Sequence, residues 1–145
     1  MSRAGQLIEV AVPFVWLGMV LAISLLETPL KFRAPGITLA LGLGIGRLVF
    51  RALNAAEIAL LALLSTAGLA GSMASAGWGL VAALGVLLAV QVLRVRPRLD
   101  RRTVAIIDGR TPSPSRQHLA YIALEIPKVL ALPVLGVVLA SRELR

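Results

Sequence analysis

The chain has no cysteine, one histidine and only 4% aromatic residues. The missing cysteine excludes a disulfide framework, cysteine-ligated zinc and a thiol nucleophile. A lone His118 cannot build a multi-histidine metal site, and the three methionines, Met1, Met19 and Met73, are too few soft ligands for copper. Charge is scarce as well, at 15% against about 25% in an average soluble domain. There is no Ser-His-Asp set and no P-loop. Gly42 to Gly46 reads G-L-G-I-G, without the spacing of a dinucleotide fingerprint. No metal and no cofactor are expected.

What is plentiful is apolar surface. Of 145 residues, 58% are hydrophobic, and the mean hydropathy is +0.89. One core cannot hide that much apolar area in a chain of this size. A membrane helix needs about 17–25 mostly apolar residues, and four runs qualify: Ile8 to Thr28, Ala52 to Ala70, Trp78 to Leu93 and Leu119 to Ala140. Gly36 to Gly46 is also apolar. Joined to the second run it would make a helix of about 50 Å, longer than the ~30 Å hydrocarbon core. A short interfacial or re-entrant helix with a bend near Gly44 or Gly46 is expected there instead. The expected fold is an all-α integral-membrane four-helix bundle, a single domain over 1–145.

Basic residues set the orientation. Lys31, Arg33, Arg47 and Arg51 flank the first connection, and Arg94, Arg96, Arg98, Arg101, Arg102, Arg110 and Arg116 crowd a loop expected over 94–117. The connection Gly71 to Gly77 has no charge. Both basic loops are therefore expected in the cytoplasm of a bacterial cell and both termini outside the inner membrane. Arg94, Arg96, Arg98, Arg101 and Arg102 beside a helix end are expected to contact anionic lipid head groups. The formal charge of +8 then needs no nucleic acid, and no aromatics interleave the arginines as a nucleic-acid reader would require. Pro112-Ser113-Pro114-Ser115 reads as a flexible connection, and Thr103 to Ile107 as a short strand or interfacial patch.

Ionisable residues inside spans are costly, and so point to function. Glu27, Glu57, Glu125 and Lys128 qualify, together with Asn54. Arg47, Arg51 and Asn54 recur at helical spacing and share a face. Two arrangements fit. In one, ion pairs lock the helices, Arg51 with Glu27 or Glu125 and Lys128 with Glu57. In the other, these residues line a polar cavity, with the glutamates taking a cation or proton and Arg47 and Arg51 an anion. Glu27-Thr28-Pro29 and Glu125-Ile126-Pro127 repeat an E-x-P pattern, in which proline loosens the preceding turn beside a carboxylate. Trp78 reads as an interfacial anchor, and Trp16, deeper, is expected to face a partner helix.

Trp16-Leu17-Gly18, Pro29, Phe32, Gly46-Arg47 and Phe50 together resemble a family of uncharacterised bacterial four-helix inner-membrane proteins, distantly similar to copper-resistance D-type membrane domains. That resemblance implies four spans and no assigned activity. Separately, Arg51-Ala52 with Asn54 and Glu57 is similar to the span-two signature of membrane-associated proteins in eicosanoid and glutathione metabolism. These are four-span trimers that hold glutathione through such residues, and His118 with Tyr121 adds a fainter likeness. The leading functional expectation is a non-enzymatic accessory or assembly subunit, or a homo-oligomeric scaffold. The alternatives are a small ion- or proton-binding transporter and a glutathione-dependent membrane enzyme.

Overall fold

The computed structural model describes residues 3–71, 73–111 and 117–143. Pro112 to Ser115 and Arg116 lie outside the described residues, as does the His118 side chain. The described residues form helices and turns, with no strand among them. Four helices run up-down-up-down: α1 (Ala4–Lys31), α2 (Leu39–Gly71), α3 (Ser75–Ile107) and α4 (Gln117–Glu143). All four are long and apolar enough to cross a membrane. They close into a ring in which α1 packs on α2 and α4, and α3 packs on the same two. The centre is filled by Trp16, Val20, Leu53, Leu64, Leu84, Leu88, Leu132, Leu135 and Leu139. Large apolar side chains such as Leu7, Leu25, Leu69, Val86 and Leu130 face outward, as they would toward lipid.

The expected interfacial or re-entrant helix is corrected. Leu39 opens α2, which continues unbroken for 33 residues to Gly71, with no bend at Gly44 or Gly46. Those glycines serve close packing instead. A Cβ at Gly42 would strike the Phe32 ring, and one at Gly46 would lie 2.7 Å from Lys31 Nζ. The loop expected over 94–117 is corrected over its first part, because α3 continues through Arg94 to Arg102 and ends at Ile107, leaving residues 108–111 as turn and connection. This also replaces the strand or patch at Thr103 to Ile107. Arg96, Leu99, Asp100 and Thr103 recur at helical spacing and turn to one cavity, whereas Arg94, Arg98 and Arg101 are exposed. Gly109, with φ +76°, ends this helix. It donates to Ile106 O while Arg110 N–H donates to Ala105 O, a Schellman closure that needs the left-handed conformation glycine adopts freely. Both α2 and α3 reach about 50 Å, so the expected spans are their hydrocarbon-length portions.

Two helices widen locally into π-turns, at Ala22–Glu27 and Gln91–Val95. In each, the residue just before a proline donates one residue further back than in an α-helix: Thr28 N–H to Ile23 O ahead of Pro29, and Arg96 N–H to Gln91 O ahead of Pro97. Proline lacks the N–H and its ring pushes on the carbonyl four residues earlier, here Leu25 and Leu93 respectively. The π-turns follow from that.

The offset that carries Pro29 onto Pro97 carries much else. It maps the buried Trp16 and Val20 onto the buried Leu84 and Leu88. On the second helix of each half it maps Leu53, Glu57, Leu64 and Gly68 onto Tyr121, Glu125, Leu132 and Gly136, all buried. Ala52-x-x-Ala55-x-Glu57-Ile58 recurs without a gap as Ala120-x-x-Ala123-x-Glu125-Ile126. The bundle is thus a helical hairpin used twice, α1–α2 and α3–α4, its halves related by a pseudo-twofold axis along the bundle. The E-x-P likeness pointed elsewhere: Glu27 and Glu125 lie on antiparallel helices in different settings, and Pro127 sits within regular α-helix.

Candidate functional site

Glu57 and Glu125 occupy equivalent positions of the two hairpins, and both turn to the bundle axis. Lys128 stands between them, its Nζ 2.6 Å from Glu57 Oε1 and 3.2 Å from Glu125 Oε1. The Lys128 and Glu57 side chains have no exposed surface. Trp16 Nε1 donates to Glu57 Oε1 at 2.9 Å, and Gln91 Nε2 donates to Glu125 Oε1. Each carboxylate thereby receives one donor from the first helix of its own hairpin. Trp16 faces a partner helix as expected, and the pairing of Lys128 with Glu57 is found.

The unfilled hydrogen-bonding positions here are almost all acceptors. Glu57 Oε2, Gln91 Oε1 and Asn54 Oδ1 are buried without a partner, and the Tyr121 hydroxyl faces the Glu125 carboxylate outside strict hydrogen-bonding geometry. Two carboxylates and one ammonium leave one negative charge over if both acids are ionised. Burying such a charge is prohibitive, so a proton or cation must accompany it. The exposed-side half of the problem is simpler: beyond this centre the bundle is closed by Leu64, Leu84, Leu132, Leu135 and Leu139. Glu9 is also buried, on α1 further along in that direction.

Trp16→Phe keeps the ring in the core but removes the donor to Glu57 Oε1. The expected loss is about 1–3 kcal/mol, read from equilibrium unfolding in mixed micelles, with the helix content of the folded state unchanged.

The other candidates disperse. Glu27 pairs with Lys31 on its own helix at 3.1 Å and stays apart from the buried acids. Arg51 is exposed and pairs with neither Glu27 nor Glu125, so the expected Arg51 bridges are corrected. The face proposed for Arg47, Arg51 and Asn54 splits: Arg47 lines a cavity, Arg51 points out and Asn54 is buried. The resemblance built on Arg51, Asn54 and Glu57 therefore does not correspond to one surface here.

A second polar region sits at the end of the bundle that carries the arginines. Arg96, expected at lipid head groups, is 8% exposed. It follows the π-turn at Gln91–Val95, and its side chain runs inward. Arg96 Nη2 donates to Arg47 O at 2.8 Å and lies 3.3 Å from Asp100 Oδ1, with the guanidinium over the Phe50 ring at 5.4 Å. Phe50 meets Tyr121 edge to face at 5.3 Å. Around these groups lies a cavity of about 150 Å³, also lined by Thr28, Lys31 and Arg47. A larger apolar cleft of about 320 Å³ opens between α1 and α4, where Ser24, Tyr121 and Glu125 are its polar members besides Thr28. The two spaces share Thr28, Phe50 and Tyr121. Arg96, Asp100, Gln91 and Tyr121 were not legible as site members in the sequence; arginines in a basic run and a lone tyrosine carry no signal of facing inward.

No family model, curated protein or solved structure matches the chain.

Proposed function

We propose that the chain is a multi-pass protein of the bacterial inner membrane that binds and exchanges a proton at the Glu57–Lys128–Glu125 centre, reached from the cytoplasmic side. The observation that carries this reading is the sharing of one buried ammonium by two buried carboxylates, the second oxygen of each having no hydrogen bond. A proton suits the centre best because it needs no cavity, and Glu57 lines neither of the two described. Exchange runs through Glu125, which borders the cleft next to Tyr121. The basic residues at that end support its cytoplasmic placement, and the leucine-filled opposite half supports access from one side. A purely structural scaffold gives no reason to keep a fully buried lysine, since apolar residues of similar volume hold a core at least as well.

The test is infrared difference spectroscopy of the protein in lipid at neutral pH. A carbonyl band of a protonated carboxylic acid, shifted by deuterium exchange and lost in Glu57→Gln or Glu125→Gln, is the expected result. A wild-type spectrum with no such band would overturn the reading.

A further inference from the structure

The buried polar atoms without partners are sorted by kind. At the Glu57–Lys128–Glu125 centre they are carboxylate and amide oxygens besides the Tyr121 hydroxyl, whereas at the arginine-bearing end they are donors: Arg47 Nε and Arg96 Nε, both buried and without a hydrogen bond. Arg47 Nε has only Asp100 Oδ1 in range, at 3.8 Å, and Arg96 shares that same carboxylate. Lys31 Nζ, 9% exposed, borders the same cavity and is held by Glu27. Three cations therefore face two carboxylates around a space well above the ~10–15 Å³ a single water needs. The species that satisfies two guanidinium N–H groups and the surplus charge is an oxyanion.

The adjoining cleft says what the oxyanion is attached to. It is apolar along α1 and α4, it lies between two helices with apolar outer faces, and it shares the walls Thr28, Phe50 and Tyr121 with the cationic cavity. A cation-lined space beside a chain-lined one matches an anionic amphiphile. The depth agrees, given the membrane reading. Counting a hydrocarbon length of about 20 residues back from Gly71 along α2 and forward from Ser75 along α3 leaves Arg47 and Arg96 at the head-group layer.

We propose that this end of the bundle binds a phosphate-bearing amphiphile, its phosphate on Arg47, Arg96 and Lys31 and its chain in the α1–α4 cleft. The proposal uses the membrane reading for depth; its phosphate end lies apart from the acids, and its chain shares with the proton reading only the cleft that Glu125 borders.

The full-length protein in detergent is titrated with inorganic phosphate, with dioctanoyl phosphatidic acid and with dioctanoylglycerol, by calorimetry and thermal shift. Phosphatidic acid is expected to bind at least about tenfold more tightly than inorganic phosphate, and dioctanoylglycerol not to bind. Arg96→Gln and Arg47→Gln each weaken phosphatidic acid about tenfold or more, the weight of a charge-assisted contact, whereas exposed Arg98→Gln leaves it unchanged. If Arg96→Gln fails to fold, Thr103→Trp fills the cavity from its half-buried wall and abolishes binding in its place. Equal affinity for inorganic phosphate would replace the amphiphile with a free anion and overturn the role of the cleft. Equal losses from Arg98→Gln and Arg96→Gln, or no loss from Thr103→Trp, would reduce the effect to surface charge and overturn the site. The carboxylic-acid infrared band is expected to be the same in Arg96→Gln, which separates failure here from failure of the proton reading.

Discussion

Lys128→Met lowers the stability of the solubilised protein by about 3–5 kcal/mol, the range for stripping one partner from a buried ion pair. The methionine fills the volume of the lysine stem, so packing changes little and the loss reports electrostatics. Glu57 and Glu125 are left facing each other near the axis with Trp16 and Gln91 as their donors, and both must take up protons for the bundle to close. Adding Glu57→Gln to Lys128→Met removes one of the two charges and is expected to restore most of the stability. Equilibrium unfolding of the single and double variants in mixed micelles gives the coupling directly. A Lys128→Met protein as stable as wild type would mean that the ammonium neutralises nothing, and the centre would be no ion-pair site.

Moving the lysine to the other hairpin tests the repeat itself. Leu60 stands to Glu57 as Lys128 stands to Glu125, three residues on and equivalent under the repeat offset, though half-buried where Lys128 is fully buried. The double variant Leu60→Lys, Lys128→Leu is therefore expected to recover most of the stability that Lys128→Leu loses, again about 3–5 kcal/mol. Leu60→Lys alone, with both lysines present, trades the surplus negative charge for balance and is expected to lose the protonated-acid infrared band. If the double variant is no more stable than Lys128→Leu, the two halves are not interchangeable around the axis.

The features legible in the sequence were those governed by composition and hydropathy. Four apolar runs correspond to four helices long and apolar enough to cross a membrane, and Trp16 and Lys128 are placed by the need of a deep indole and a mid-run ammonium for a partner. Helix ends were not legible. Gly36 to Gly46 is expected to bend away because, joined to the second run, it outruns the hydrocarbon core, and the arginine run after Val95 to leave the helix because it is charged. In the structure Leu39 to Gly46 and the arginines up to Arg102 belong to helices that exceed the hydrocarbon length, with small residues and inward-turned polar groups lining a cavity that sequence periodicity alone does not announce. The repeat was hidden for a different reason. Few residues are identical between the hairpins, and those that are, such as Glu57 with Glu125 and Gly68 with Gly136, stand out only once burial shows which positions face the axis. The more conspicuous E-x-P likeness joined residues of antiparallel helices and led away from it.

The hairpin repetition is even in its acids and odd in its openings. Glu125 borders the α1–α4 cleft, whereas its counterpart Glu57 is sealed between Trp16 and Lys128 and meets neither cavity. Under the proposed binding, a molecule entering by the cleft would reach one carboxylate of the two, giving one guest per chain rather than a symmetric pair. The sealed acid would sense that guest second-hand, through the ammonium both share.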